Sequence, residues 1–77
     1  MHMPRAVALI TTSPGKMDGV AAGVRAVKGV RDVLTVAGRA DVAVLFEGSF
    51  EDIPKILSRI QKVEGVLTTE TLVELTE

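Results

Sequence analysis

Cysteine, tryptophan and tyrosine are absent from this chain; phenylalanine occurs twice and histidine once. Without cysteine there is no disulfide framework, no thiolate metal site and no thiol nucleophile. The chain must hold together by packing alone. No sign of charge dominates: nine basic residues stand against ten acidic ones, for a net charge of −1, and the signs alternate along the chain. With no basic block to grip a phosphate backbone, direct nucleic-acid binding is not expected. The longest uninterrupted apolar runs, such as Val42–Phe46, fall far short of a membrane span. The amino terminus lacks the charged and apolar regions of a signal peptide, which makes the cytoplasm the expected location. The first three residues, Met-His-Met, are given no functional weight.

What is present is apolar material in quantity. Of the 77 residues, 47% are apolar, and the mean hydropathy is +0.34 for a mass of 8.2 kDa. This length allows one domain, residues 1–77 with a core over about 5–76. Folding such a chain takes its surface from ~11,900 to ~4,500 Å², burying only about 60% of it. There is more apolar surface here than a lone small monomer can hide.

Six segments stand out. Arg5–Thr12 reads as a strand, with Ala6-Val7-Ala8-Leu9-Ile10 apolar on both faces. Ser13-Pro14-Gly15 is turn chemistry, since proline fixes φ and glycine tolerates positive φ. From about Lys16 to Val27, apolar residues recur at Met17, Val20, Ala21, Val24 and Val27, the period of an amphipathic helix. Lys28-Gly29 ends it, with glycine as a left-handed cap. Val30–Ala37 reads as a second strand, and Gly38-Arg39-Ala40-Asp41 as a short hairpin connection into a third, Val42–Glu47. Ser49 or Asp52 suits the cap of a second helix with Pro54 in its first turn. That helix carries the stripe Ile53, Ile56, Leu57, Ile60 and Val63 and stops at Gly65. Val66–Leu75 is the last strand.

The order is therefore βαββαβ, and the halves echo one another. A shift of 36 positions lays Val20, Val24, Val27, Gly29 and Val30 onto Ile56, Ile60, Val63, Gly65 and Val66. Two βαβ halves of this kind predict an α+β fold, the ferredoxin-like sandwich. It has a four-stranded antiparallel sheet in the order 4-1-3-2, with two helices on one face. Such a sheet should alternate apolar and polar residues, yet the two central strands are apolar throughout. A bare outer face of that kind would expose several hundred Å² of apolar surface. A second copy packed sheet to sheet, a two-fold homodimer, removes the problem.

Catalytic signals are thin. His2 lies at the terminus, and no Ser–His pairing, H-E-x-x-H or C-x-x-C is present, so no enzyme is expected. No metal set and no cofactor motif is legible. Gly19 and Gly23, four apart in the first helix, either admit a close neighbour or simply weaken the helix by about 1 kcal/mol each. What remains is the Gly38–Asp41 turn and Thr68-Thr69-Glu70-Thr71 in the last strand. An aspartate closing a turn often binds nearby backbone N–H groups, and threonine is simply a good strand former. Alternatively, the carboxylate and hydroxyls are placed to take the ammonium and polar groups of a small zwitterion.

Pro14-Gly15-Lys16, Val27-Lys28-Gly29-Val30, Gly38-x-x-Asp41 leading into Val42-Ala43-Val44, Val63-Glu64-Gly65-Val66 and Thr68-Thr69-Glu70-Thr71-Leu72 follow one another at telling spacings. This ordered set resembles the effector domain of Lrp/AsnC regulators, also called RAM for regulation of amino acid metabolism. The resemblance runs from about residue 5 to 76. It implies dimers formed through the sheet, their assembly into rings, commonly octamers, and amino-acid effectors bound between dimers. It places the effector site at Gly38, Arg39, Ala40 and Asp41, with Thr69 and Thr71 as hydroxyl partners. On this reading Asp41 receives the ammonium, backbone groups near Gly38–Ala40 take the carboxylate, and Arg39 assists.

The helix-turn-helix of full-length members does not occur in this sequence. Two origins fit the resemblance: a stand-alone effector domain that co-assembles with full-length regulators, or a piece of such a regulator. The competing readings are a purely structural assembly module and another metabolite-binding module of the same fold, ACT-like in type.

Overall fold

The computed structural model describes residues 3–75, so His2 lies outside the described residues. The elements are β1 (Arg5–Thr12), α1 (Met17–Arg25), β2 (Val30–Thr35), β3 (Val42–Glu47), α2 (Asp52–Gln61) and β4 (Val66–Val73). They form one four-stranded antiparallel sheet in the order β2-β3-β1-β4, which is the expected 4-1-3-2 order read from the other edge.

The two halves end their helices by the same device. After α1, the N–H groups of Ala26 and Val27 reach back three residues, to Gly23 (3.2 Å) and Val24 (3.1 Å). After α2, Lys62 and Val63 do the same to Arg59 (3.2 Å) and Ile60 (3.1 Å). These tightened turns shorten the α-helical spans relative to the apolar period, which runs on to Val27 and Val63. Gly29 and Gly65 then reverse the chain, both at φ +99°. At the start of α2, Ser49 is the cap. Its Oγ accepts from Asp52 N–H (3.1 Å) and its carbonyl accepts from Ile53 N–H (3.0 Å).

Alternation along the strands sends Ala6, Ala8, Ile10, Val33, Val42, Val44 and Phe46 under the helices. There they meet Val20, Ala21 and Val24 of α1 and Ile53, Ile56 and Ile60 of α2. Small and large residues complement one another across the strands, Ala6 opposite Phe46 and Ala8 opposite Val44. Burying a Phe or Ile side chain completely, as at Phe46, Ile10 and Ile60, contributes about 1.5–3 kcal/mol each. Gly23 serves close packing within the chain: a Cβ there would lie 2.7 Å from Val63 Cγ1. A Cβ on Gly19 would meet open space.

β2 and β4 stop short of their sequence patterns, ending at Thr35 and Val73. Both carry an irregularity that the sequence does not announce. Pairing skips Arg31 on β2 and Leu67 on β4. These bulges leave one residue unpaired and re-aim the strand. Among the described residues, no helix is long and apolar enough to cross a membrane.

Candidate effector turn and the open sheet face

The face of the sheet opposite the helices is built in rows. One row runs Asp32, Leu45, Val7 and Leu72 across β2, β3, β1 and β4, and the next runs Leu34, Ala43, Leu9 and Glu70. Val7, Leu9, Ala43 and Leu45 of the central strands are half-buried by their neighbours. Apolar side chains of this face on the edge strands are more open, Leu34 at 56% exposure and Leu72 at 53%. The apolar excess thus spreads over all four strands, beyond the two central strands that the sequence singles out.

Ion pairs frame this apolar field at one end. Arg31 binds Glu47 (2.9 Å), and Arg5 binds Glu74 through two nitrogens (2.6 and 3.1 Å). The hydrogen bond and charge of Glu74, with Glu47 nearby, hold the Arg5 guanidinium above its ordinary range. A shallow hollow of about 280 Å³ lies beside them, walled by Val7, Leu45 and Leu72.

At the other end lies the β2–β3 connection, closed by a hydrogen bond from Val36 N–H to the Asp41 carbonyl (2.9 Å). Gly38 sits at φ +131°, a conformation that favours glycine. Asp41 ties this connection to β1. Its N–H donates to the Ile10 carbonyl (2.8 Å), and its carboxylate Oδ2 accepts from the N–H (2.8 Å) and the hydroxyl (3.0 Å) of Thr12. Thr12 is buried, and Asp41 satisfies both of its donors. Among the described residues, Oδ1 of Asp41 and the backbone N–H groups of Gly38, Arg39 and Ala40 carry no hydrogen bond.

The remaining candidates separate onto the two faces of the sheet. Glu70 pairs across from Leu9 and points to the open face, where Arg39 reaches it (2.5 Å). Thr69 and Thr71 pair with Ile10 and Ala8, so their side chains point to the helix layer. Gln61, at the end of α2, donates to Thr69 Oγ1 (2.9 Å). Thr71 Oγ1 is buried without a partner among the described residues. Thr69 and Val42 flank Ile10 from opposite sides, which puts the threonine about 10 Å from the start of β3. Thr12, Glu70 and Gln61 are the site neighbours that sequence reasoning passes over. Glu70 is visible within its threonine run; the other two are joined to the site only by folding. Clefts of about 370, 280 and 250 Å³ among the described residues are lined by other side chains than the turn and these threonines.

No family model matches the chain, and no curated protein does. Solved structures do. TTHA0845 from Thermus thermophilus is 25% identical, with a TM-score of 0.90 over 97% of this chain and 96% of that one. AsnC of E. coli is 17% identical, with a TM-score of 0.83 over 96% of this chain and 52% of its own. The feast or famine regulatory protein Rv3291c from M. tuberculosis, complexed with L-methionine, is 22% identical, with a TM-score of 0.76 over 97% and 51%. By class, then, the chain is an α+β sandwich with one covered and one open sheet face. In fold it resembles AsnC and the feast or famine regulatory protein Rv3291c, and it spans about half the length of each.

Proposed function

We propose that the chain is a regulatory effector-binding domain that takes a small amino acid and is not an enzyme. One observation carries the reading: the Gly38–Asp41 connection holds unpartnered donors and an unpartnered acceptor within four residues. The free N–H groups of Gly38, Arg39 and Ala40 suit a carboxylate, and the free Oδ1 of Asp41 suits an ammonium. Because Thr12 already fixes Oδ2, the carboxylate is oriented before any ligand arrives. The L-methionine complex of Rv3291c supports the ligand class.

The turn stands on the surface, with Gly38 and Arg39 exposed, so the pocket around it is completed by another copy. The open sheet face supplies the first assembly step, a two-fold dimer burying Leu34, Val7, Leu45 and Leu72. Further assembly into a ring of dimers, an octamer in form, then brings turns from different dimers together. Effector binding shifts the population of such assemblies, the way a ligand of one quaternary state acts on any equilibrium. Full-length regulators of the same type are the partners with which it would co-assemble. The cytoplasm is the compartment in which such an assembly would work.

A thermal-shift screen of the twenty amino acids tests the reading, because a ligand that binds only the folded state must raise the melting temperature. A rise with one or a few amino acids that disappears in Asp41→Asn supports it. A flat response across the panel favours the structural assembly module instead.

A further inference from the structure

The sandwich has a second concave region, far from the Gly38–Asp41 turn and unconnected to the proposed effector site. It is a cleft of about 370 Å³ at the opposite end of the sheet, a size suited to a small ligand. One wall is a face of α2 carrying Asp52, Lys55, Ile56 and Arg59, spaced three and four apart. The other holds Lys28, in the turn between α1 and β2, and Met3 before β1. Gly29 and Gly48 form part of the lining. A Cβ on either would lie 2.6 or 3.2 Å from Ile56 Cδ1, so both positions are kept bare by the approach of α2.

The internal repeat shows that this cleft is a departure from the frame and not a by-product of it. At a shift of 36 positions, Lys16 and Glu64 correspond to Asp52 and Lys28. In the first position the two charges meet across the glycine Gly65, with Lys16 Nζ 3.5 Å from Glu64. In the second the same two charges, exchanged in sign, form no ion pair among the described residues, and the cleft lies open between them. Gly19 and Gly23 correspond to Lys55 and Arg59. Two glycines of one half are thus two cations of the other, both facing the cleft.

The electrostatic result is local. Three of the nine basic side chains, Lys28, Lys55 and Arg59, line one cleft without an ion-pair partner among the described residues. Asp52 opposes them; the side chain of Glu47, which also borders the cleft, is taken by Arg31. In a chain of net charge −1, this is a concentration of positive charge in a concave, partly apolar setting.

We propose that this cleft binds a small organic dianion, a phosphate monoester or a dicarboxylate. Arg59, Lys55 and Lys28 hold its charges, and Ile56 flanks its short carbon skeleton. The test is an amide NMR titration of the whole chain with glycerol 3-phosphate and with succinate, at matched ionic strength. The expected result is saturable shifts at Gly29, Gly48 and Ile56 with at least one of the two anions. Arg59→Gln and Lys55→Gln, both on exposed positions of a folded helix, should each weaken binding about tenfold. Lys62→Gln, a cation outside the cleft, should leave it unchanged, and so should Asp41→Asn. Shifts that do not saturate with either anion, or binding that survives both cleft substitutions, would overturn the proposal.

Discussion

Asp41 and Thr12, 29 positions apart, share a two-pronged contact: one carboxylate oxygen accepts from both the backbone N–H and the hydroxyl of the threonine. The contact locks the β2–β3 connection onto the end of β1. It also gives Asp41 a structural role beside its proposed one, and the two can be separated by substitution.

Asp41→Ala removes the acceptor of two donors on a buried residue, and should cost about 1–3 kcal/mol in a denaturant melt. Asp41→Asn keeps an oxygen for the Thr12 N–H and loses the charge. It should fold with most of the wild-type stability and lose amino-acid binding by calorimetry. Retained binding in Asp41→Asn would remove the ammonium-receiving role from this residue.

Arg39 and Glu70 form a pair across the end of the open face, 78% and 48% exposed. An exposed pair of this kind contributes at most about 1 kcal/mol, so Glu70→Gln should barely change the melting temperature. Its effect should appear in binding. The substitution frees the Arg39 guanidinium for the effector carboxylate, and calorimetry should then find tighter binding. An unchanged affinity would mean that Arg39 plays no part in the site.

Glycines at positive φ offer a graded test of the fold. Gly38 lies at φ +131° with open space where a Cβ would stand, so Gly38→Ala meets backbone strain alone, about 1–3 kcal/mol. Gly65→Ala adds contacts of 2.7 Å to Lys16 Cβ and 2.9 Å to Val20 Cγ2. Its melting temperature should fall below that of Gly38→Ala, and a reversed order would contradict the packing at this corner.

The Arg5–Glu74 pair should be insensitive to pH around neutrality. A basic group raised in the folded state stabilises fully below its unfolded value, and that contribution is lost only as pH climbs through the folded one. For a guanidinium both lie far above neutral pH. A melt of Arg5→Gln against wild type at several near-neutral pH values should show a constant difference.

Much of the architecture is legible in the sequence because it rests on local signals. The bounds of β1 and β3, the glycine turns at Gly29 and Gly65 and the 36-residue echo all follow from periodicity and turn chemistry. The helix ends read too long because the apolar stripe continues through tightened turns that the period does not distinguish from α-helix. The bulges at Arg31 and Leu67 depend on registers between strands and leave no local mark. The candidate site is legible as a turn and not as a constellation. Nothing local says that Asp41 would find Thr12, or that Thr69 and Thr71 would face α2 while Glu70 turns the other way to meet Arg39.

A second copy covering the open sheet face would show in the mass of the protein in solution. Light scattering after size exclusion should give wild type at twice 8.2 kDa or a higher even multiple. Leu72→Asp, which puts a charge beside Val7 and Leu45 on the open face without touching the helix-side core, should give a folded species of lower mass, down to 8.2 kDa. Wild type eluting as an 8.2 kDa monomer at every concentration would mean that the open face stays bare.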